Sequence, residues 1–372
     1  MTVVDLIDTG VVAVVLALAL VVVFTLLARE RRTTRRLRAV QVPPTAPHLP
    51  STRQRRAAIV VNPTKFSSLD EHALRRRQAY VAAVFRSHGW EDPLWFETTP
   101  AEHGRQQAQE AVARGVDLVL AAGGDGTVRA VAEGLTGTST PMALLPAGTG
   151  NLLARNLDVP HTDLAAALDL VFTEEDRRVD VGWLEVDRGP DGERDDGRDG
   201  GPERHLFLVM AGLGFDAAMM AGVEDRLKQR LGYGAYVVSG ARALWGPQAK
   251  VQIAVDDETP TPSRTRAVIV GNCGKLTRQL VLMPDARIDD GVLDAVVLSP
   301  RGGIGWGEVA WAIATRDRRG QRRVQHLSGR RFEVRCAEPQ EVQLDGDPIG
   351  PARRITLSVD PGALLVRCPP LP

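Results

Sequence analysis

The stretch Asp117–Thr127, DLVLAAGGDGT, ends a short apolar run in a glycine-rich turn, and Val128–Leu135 continues with helical spacing. The run Leu118–Ala122 reads as a strand buried on both faces. A strand that passes through Gly123, Gly124, Asp125, Gly126 and Thr127 into a helix is suited to holding phosphate. Glycines let backbone N–H groups approach the oxygens, and the helix N-terminus adds positive potential. Asp125 is badly placed to touch phosphate itself; it suits Mg²⁺, held directly or through water, or the orientation of a hydroxyl. A second turn, Pro146-Ala147-Gly148-Thr149-Gly150-Asn151, follows an apolar run at Met142–Leu145 and can close the opposite wall of such a site. Two turns of this kind about two dozen residues apart arise by chance far less often than either alone.

Two acidic stretches in the second half add further chemistry. Gln343-Leu344-Asp345-Gly346-Asp347 puts two carboxylates around a glycine at a strand end, where one could accept a proton from a substrate hydroxyl. The same residues also suit a plain hairpin turn. Pro284–Asp294, PDARIDDGVLD, offers carboxylates and free carbonyls to a hard cation such as Mg²⁺, and equally suits a solvated Asp-Asp-Gly turn.

The elements that must position these residues follow from periodicity. Ala57–Val61 reads as a buried strand ending in Asn62-Pro63-Thr64-Lys65, either a phosphate-facing loop or an ordinary Asn-Pro turn. Leu69–His88 and Ala101–Arg114 have helical spacing, with a strand at Pro93–Thr98 between them and Thr98 and Thr99 at its end. This alternation predicts a parallel sheet covered on both faces, with ligands beyond the carboxyl ends of its strands. That edge gathers the Asn62 loop, Thr99 and both glycine turns. From about Val179 short strands replace the alternation, at Val181–Val186, Leu206–Met210, Val251–Val255, Arg266–Val270, Val292–Leu298, Arg331–Cys336, Glu341–Leu344 and Arg353–Val359. They predict a mostly antiparallel sandwich. Residues 187–204, rich in Gly, Asp and Arg, read as a flexible hairpin loop. Tyr233–Trp245 reads as a core helix, with a lipid groove as the alternative.

Lys and Arg together number 46, as do Asp and Glu, so no excess of positive charge points to nucleic acid. Cys273, Cys336 and Cys368 are far apart and form neither a metal-ligand spacing nor a disulfide framework. The seven histidines form no metal or triad spacing. Gly10–Ala28 is uncharged, almost wholly apolar and close to bilayer length, and six arginines follow between Arg29 and Arg38. This predicts one transmembrane helix in the inner membrane with the remainder in the cytoplasm. The expected organisation is an anchor with its basic flank over 1–38 and a Pro-rich linker over 39–56. An α/β domain over 57–178 and a β-sandwich domain over 179–372 follow.

Taken together, these motifs resemble the diacylglycerol kinase catalytic family, lipid kinases related to sphingosine and ceramide kinases. The resemblance runs from about Ala57 to Val366. Gly123–Thr127 and Pro146–Asn151 are its most specific elements, followed in order by Phe215-Asp216, Asp289–Asp294 and Asp345–Asp347. It implies an α/β nucleotide-binding domain and a β-sandwich domain with ATP in the cleft between them. It also implies phosphoryl transfer to a membrane lipid, with diacylglycerol as the leading acceptor, a long-chain base as a rival and a catalytically inactive nucleotide- or lipid-sensing module as another. NAD kinase shares the Gly-Gly-Asp-Gly turn, but its adenosine-reading Asn-Glu pair is lacking here. Carried over by position, Asn62, Pro63, Thr64, Lys65, Thr99, Gly123, Gly124, Asp125, Gly126, Thr127, Gly148, Thr149 and Asn151 match nucleotide contacts. Arg287 and Val292, through their carbonyls, and Asp290 match a structural Mg²⁺ site. Asp345 and Asp347 match the family's Asp-Gly-Glu, either being a candidate proton acceptor, with Asp125 in the shell of a catalytic Mg²⁺. The family often has Asn-Glu where this chain has Arg129 and Ala130, so that contact is missing or replaced. A homodimer is left open by the sequence.

Overall fold

The computed structural model describes residues 53–66, 71–173, 175–188, 203–214, 248–276, 281–301, 305, 308–309 and 323–369. Residues Arg53–Pro372 form one compact unit. In its first part, β1 (Ala57–Val61), β2 (Leu94–Glu97), β3 (Leu118–Gly123) and β4 (Met142–Pro146) pair in parallel in the order β2-β1-β3-β4. Every residue of β1 and β3 is buried, as expected of strands covered on both faces. Six helices accompany them among the described residues. These are α1 (Pro63–Phe66), α2 (Glu71–Ser87), α3 (Arg105–Ala113), α4 (Asp125–Leu135), α5 (Leu152–Asn156) and α6 (Leu164–Val171). The helix expected from Val128 starts three residues earlier, so that Asp125 itself opens it.

The second part is antiparallel. It contains β5 (Asp176–Asp187), β6 (Glu203–Phe207), β7 (Met210–Leu213), β8 (Ala249–Val255), β9 (Thr261–Thr265) and β10 (Ala267–Gly271). It continues with β11 (Leu293–Leu298), β12 (Val324–Gly329), β13 (Arg331–Leu344) and β14 (Asp347–Arg367). The result is an α/β part and a β-sandwich-like part, as the sequence pattern predicts. The two are nevertheless continuous: Val366 near the end of β14 pairs in parallel with Met142 of β4, so the described strands form a single sheet. One apolar core also crosses the junction, running from Ala58, Val119 and Val131 through Val179 and Met210 to Ile269 and Leu364.

Two strand expectations are revised. Arg331–Cys336 and Glu341–Leu344 belong to one long strand with an irregularity between Arg335 and Gln340. Conversely, Leu206–Met210 is split between β6 and β7, because the N–H groups of Leu208, Val209 and Met210 are taken by the Asp345 side chain. The expected transmembrane helix at Gly10–Ala28, the linker, Phe215-Asp216 and Tyr233–Trp245 lie outside the described residues, as does most of the 187–204 loop. No helix among the described residues is long and apolar enough to cross a membrane. The single-pass inner-membrane placement is corrected accordingly, and the transmembrane helix as part of the fold class has no support among the described residues.

Asp180 of β5 locks the second part together at a distance from the glycine turns. It is buried, and its two oxygens accept from Gly291 N and Gly362 N, each at 2.7 Å. Burial pushes its carboxyl above the ordinary range, with Asp290 and Asp289 adding to the effect and the two amides opposing it. Asp180→Ala leaves both amides without their acceptor and should lower the unfolding free energy by about 3 kcal/mol. Urea denaturation would measure this, and an unchanged midpoint would contradict it.

Candidate active site

The glycine turns meet at the carboxyl edge of the parallel sheet. Ala147 N donates to Gly123 O at 2.9 Å, which binds the second turn to the end of β3. Asp125 then ties the turns across the opening of α4. Its Oδ2 accepts from Asn151 N at 2.9 Å and its Oδ1 from Leu152 N at 2.6 Å. Both oxygens are thus engaged at the start of α5. Asn151, in the left-handed region at φ 47°, folds its amide back on Gly148, accepting from its N–H and donating to its C=O. Glycine is required by this close approach. A Cβ on Gly148 would lie 2.7 Å from Gly124 Cα, and one on Gly150 would lie 2.5 Å from Asp125 Oδ2. Thr127 is buried beneath the first turn, whereas Thr149 projects from the second and is exposed.

The Asn62 loop reaches the same edge. Asn62 N donates to Ala122 O at 2.9 Å, and Asn62 Oδ1 accepts from Thr64 Oγ1 and Lys65 N. Thr64 and Lys65 are exposed there, after Pro63. Thr98 N donates to Val61 O, while the Thr99 hydroxyl accepts from Glu102 N at 3.1 Å. The loops after β1, β2, β3 and β4 therefore share one rim.

The acidic hairpin faces this rim from the second part. Asp345 and Gly346, at φ 49° and 95°, form its two-residue turn, the positive-φ geometry for which Asp-Gly is suited. The Asp345 side chain folds inward. Its Oδ1 accepts from Val209 N and Met210 N at 2.9 and 3.0 Å, and its Oδ2 accepts from Leu208 N at 3.2 Å. Gln343 steadies the turn by accepting Gly346 N at 2.9 Å, and its buried Nε2 has no partner among the described residues. Asp347 is the outward member: its side chain is 59% exposed against 3% for Asp345.

Arg129, one turn along α4 from Asp125, links the two parts. It donates to Leu344 O and to Asp347 Oδ2, both at 3.2 Å, and lies 3.7 Å from Asp345 Oδ2. A second clasp stands at α5, where the Asn156 amide donates to Lys275 O at 2.8 Å and accepts from Lys275 N at 3.1 Å. Lys275 Nζ also lies 3.3 Å from Asp158. Neither clasp was anticipated. The sequence signals for Arg129 are its place where the family often has Asn and its spacing of four from Asp125, which puts both on one helix face.

Asp345 and Asp347 thus meet a single guanidinium, with Asp125 one turn away on the same helix. Burial raises the Asp125 carboxyl above the ordinary range, and the charges of Asp345 and Asp347 raise it further against two opposing amides. Burial likewise raises Asp345, opposed by Arg129 and three backbone N–H groups. The chemistry of this donor set suits a hard cation. Although no cluster of three or more metal-ligating side chains occurs among the described residues, Mg²⁺ is commonly held by one or two carboxylates together with substrate phosphates.

Arg287, Asp290 and Val292 come together elsewhere, in the turn before β11, which lies across β10 and β7 from the acidic hairpin. Asp290 Oδ1 accepts from Val292 N at 3.1 Å, and Arg177 pairs with the adjacent Asp289. Burial again raises the Asp290 carboxyl, with Asp294 and Asp289 adding to it and Arg287 opposing.

Two glycine turns on a parallel sheet, facing an acidic hairpin, define a phosphotransferase-type cleft. The diacylglycerol kinase catalytic domain model matches residues 56–184, and the YegS C-terminal NAD kinase beta sandwich-like domain model matches 209–368. A probable lipid kinase YegS-like from Pseudomonas aeruginosa is 33% identical over 272 residues, covering 71% of this chain and 81% of that protein. A diacylglycerol kinase from Bacillus subtilis is 26% identical over 296 residues, covering 79% and 90%. A crystal structure of a diacylglycerol kinase from Bacillus anthracis has the same fold, with a TM-score of 0.60 at 20% identity over 86% of this chain and 99% of that one. The chain belongs to the diacylglycerol kinase catalytic family, the lipid kinases of the YegS-like type.

A raised carboxyl stabilises the fold fully below the ordinary carboxylate value, and its contribution is lost as pH rises through the raised value. Across the acid range, from about pH 3 to about pH 7, wild-type stability should therefore fall relative to Asp345→Asn. Urea unfolding at a series of pH values would show this, and a rise relative to the variant would contradict it.

Proposed function

We propose that the chain transfers the γ-phosphate of ATP to the primary hydroxyl of diacylglycerol, giving phosphatidic acid. The observation that carries this reading is the meeting of the two glycine turns, bound by Asp125, with the acidic hairpin brought against them by Arg129. On this reading the rim formed by Asn62–Lys65, Thr99, Gly123–Thr127, Gly148, Thr149 and Asn151 takes the nucleotide. Its phosphates lie against the backbone amides that open α4. Asp347 and the remaining lone pairs of Asp125 would hold Mg²⁺, while Asp290 with the carbonyls of Arg287 and Val292 would hold a second, structural ion. When bound at the cleft, Mg²⁺ supplies positive charge to the phosphoryl oxygens.

Asp345 is the proposed general base. Its Oδ2, with one amide at 3.2 Å and Arg129 beyond, is less fully engaged than Oδ1. A carboxyl raised by burial is also a better match to proton abstraction near neutral pH. The lipid hydroxyl loses its proton to Asp345 as its oxygen bonds to the γ-phosphorus, and the bond from that phosphorus to the bridging oxygen breaks to release ADP. The α/β part over 57–178 serves the donor and the part from 179 the acceptor.

The test is transfer of labelled γ-phosphate from ATP to diacylglycerol, sphingosine, ceramide and NAD in mixed micelles. Wild-type chain should make phosphatidic acid, and Asp345→Ala should be slower by about a hundredfold or more with nucleotide still bound. Gly148→Ala should lose nucleotide binding. Transfer to another acceptor would replace diacylglycerol, and nucleotide binding without any transfer would overturn the kinase reading.

A further inference from the structure

Arg129 carries an unusual load for a helix-surface arginine. Its side chain is 18% exposed, against 52–75% for the arginines of the i,i+4 ion pairs on α2 and at the end of α3. Its polar contacts among the described residues go to one hairpin more than two hundred positions along the chain: the Leu344 carbonyl, Asp347 and, at 3.7 Å, Asp345. On its own helix it shares a face with Asp125, whose charge environment includes both hairpin carboxylates. One fixed cation therefore stands against two carboxylates at the place where the two parts of the protein meet, with a third one turn away on its own helix. Arg129 and Asp347, two of the positions at which the sequence departs from the motifs it resembles, pair with each other. The shorter carboxylate and the longer cation close one gap between them.

We propose that Arg129 is a positioning residue for phosphoryl transfer, a built-in counter-cation that holds Asp347 and Asp345 against the phosphate rim and supplies there part of the positive charge a divalent ion would otherwise provide. This rests on the kinase reading for its catalytic consequence. The planar fork of arginine suits the task, because it engages a carbonyl and a carboxylate at once. On its inner side the contact differs from an exposed ion pair: Arg129 and Asp345 are withdrawn from water, where removing one partner leaves the other charge uncompensated, while Asp347 stays open to solvent.

The full chain and its Arg129→Gln, Arg129→Lys, Asp347→Asn and Arg129→Gln/Asp347→Asn variants test this with two readouts. The first is Mn²⁺ binding to nucleotide-free protein by titration calorimetry. Loss of the guanidinium should tighten binding about tenfold in Arg129→Gln, whereas Arg129→Lys, which keeps the charge, should stay close to wild type. The double variant should bind no more tightly than Asp347→Asn. The second is phosphoryl transfer, where Arg129→Gln should lower kcat about a hundredfold with the KM for ATP little changed, and Arg129→Lys should recover part of it. Unchanged Mn²⁺ affinity and unchanged kcat in Arg129→Gln would overturn the proposal. So would a kcat loss shared equally by Gln and Lys with no change in Mn²⁺ binding, since that pattern marks packing alone. If Arg129→Gln does not fold, the Lys and Asp347→Asn variants still decide: both must lower kcat, and only Asp347→Asn may alter Mn²⁺ binding. A wild-type chain that phosphorylates none of the lipids would defeat the kinase reading, while the Mn²⁺ comparison would still decide the role of Arg129 as counter-cation.

Discussion

The carboxylate of Asp125 is the constraint on which the rest of the cleft depends. It stands at the first position of α4 yet spends both oxygens on the backbone of another element, the amides of Asn151 and Leu152. The two turns approach so closely that no side chain fits at Gly148 or Gly150. The interaction therefore fixes the spacing between the two walls of the site. An acid at a helix N-terminus is favourable in general, but here the helix it caps electrostatically and the helix it hydrogen-bonds differ. That is why a half-buried carboxylate, disfavoured by its surroundings, has a structural use.

The second part of the protein repeats this device. Asp345 opens a gap between β6 and β7 by taking three consecutive amides, just as Asp180 joins the turns at Gly291 and Gly362. In each case a buried acid substitutes for strand pairing where the backbone must leave the sheet. The acidic hairpin is thus held from behind by backbone donors and from in front by Arg129. Continuity of the sheet through β14 and β4, with a shared core, gives both parts a common frame. On the proposed function, a donor site on one part and a proton acceptor on the other need such a frame, because small misplacements at the reacting atoms slow transfer sharply.

Much of this was legible in the sequence. Continuous apolar runs such as Ala57–Val61 and Leu118–Ala122 carry the parallel strands because burial on both faces leaves no polar position to blur the signal. The glycine turns were legible because close backbone approach admits only glycine. The split at Leu208–Val209 was not, since apolar residues there look like strand and the cause, Asp345, lies far along the chain. The short β9 (Thr261–Thr265) and β12 (Val324–Gly329) were also missed: they are edge strands with polar residues and weak alternation. Long-range polar contacts leave no local mark, so the Asn156–Lys275 clasp and the Arg129 bridge emerge only in three dimensions. Asp125 was expected to serve Mg²⁺ or a hydroxyl; its two backbone partners reveal a positional duty that spacing alone did not suggest.

If the paired glycine turns form one phosphate-binding wall, a bound nucleotide must shield both. Amide hydrogen exchange on the full chain, with and without ATP and Mg²⁺, tests it most directly. Added nucleotide should slow exchange together at Gly124–Thr127 and Gly148–Leu152, with smaller changes at the Asn62 loop. Protection confined to one turn, or found elsewhere with both turns unaffected, would contradict it.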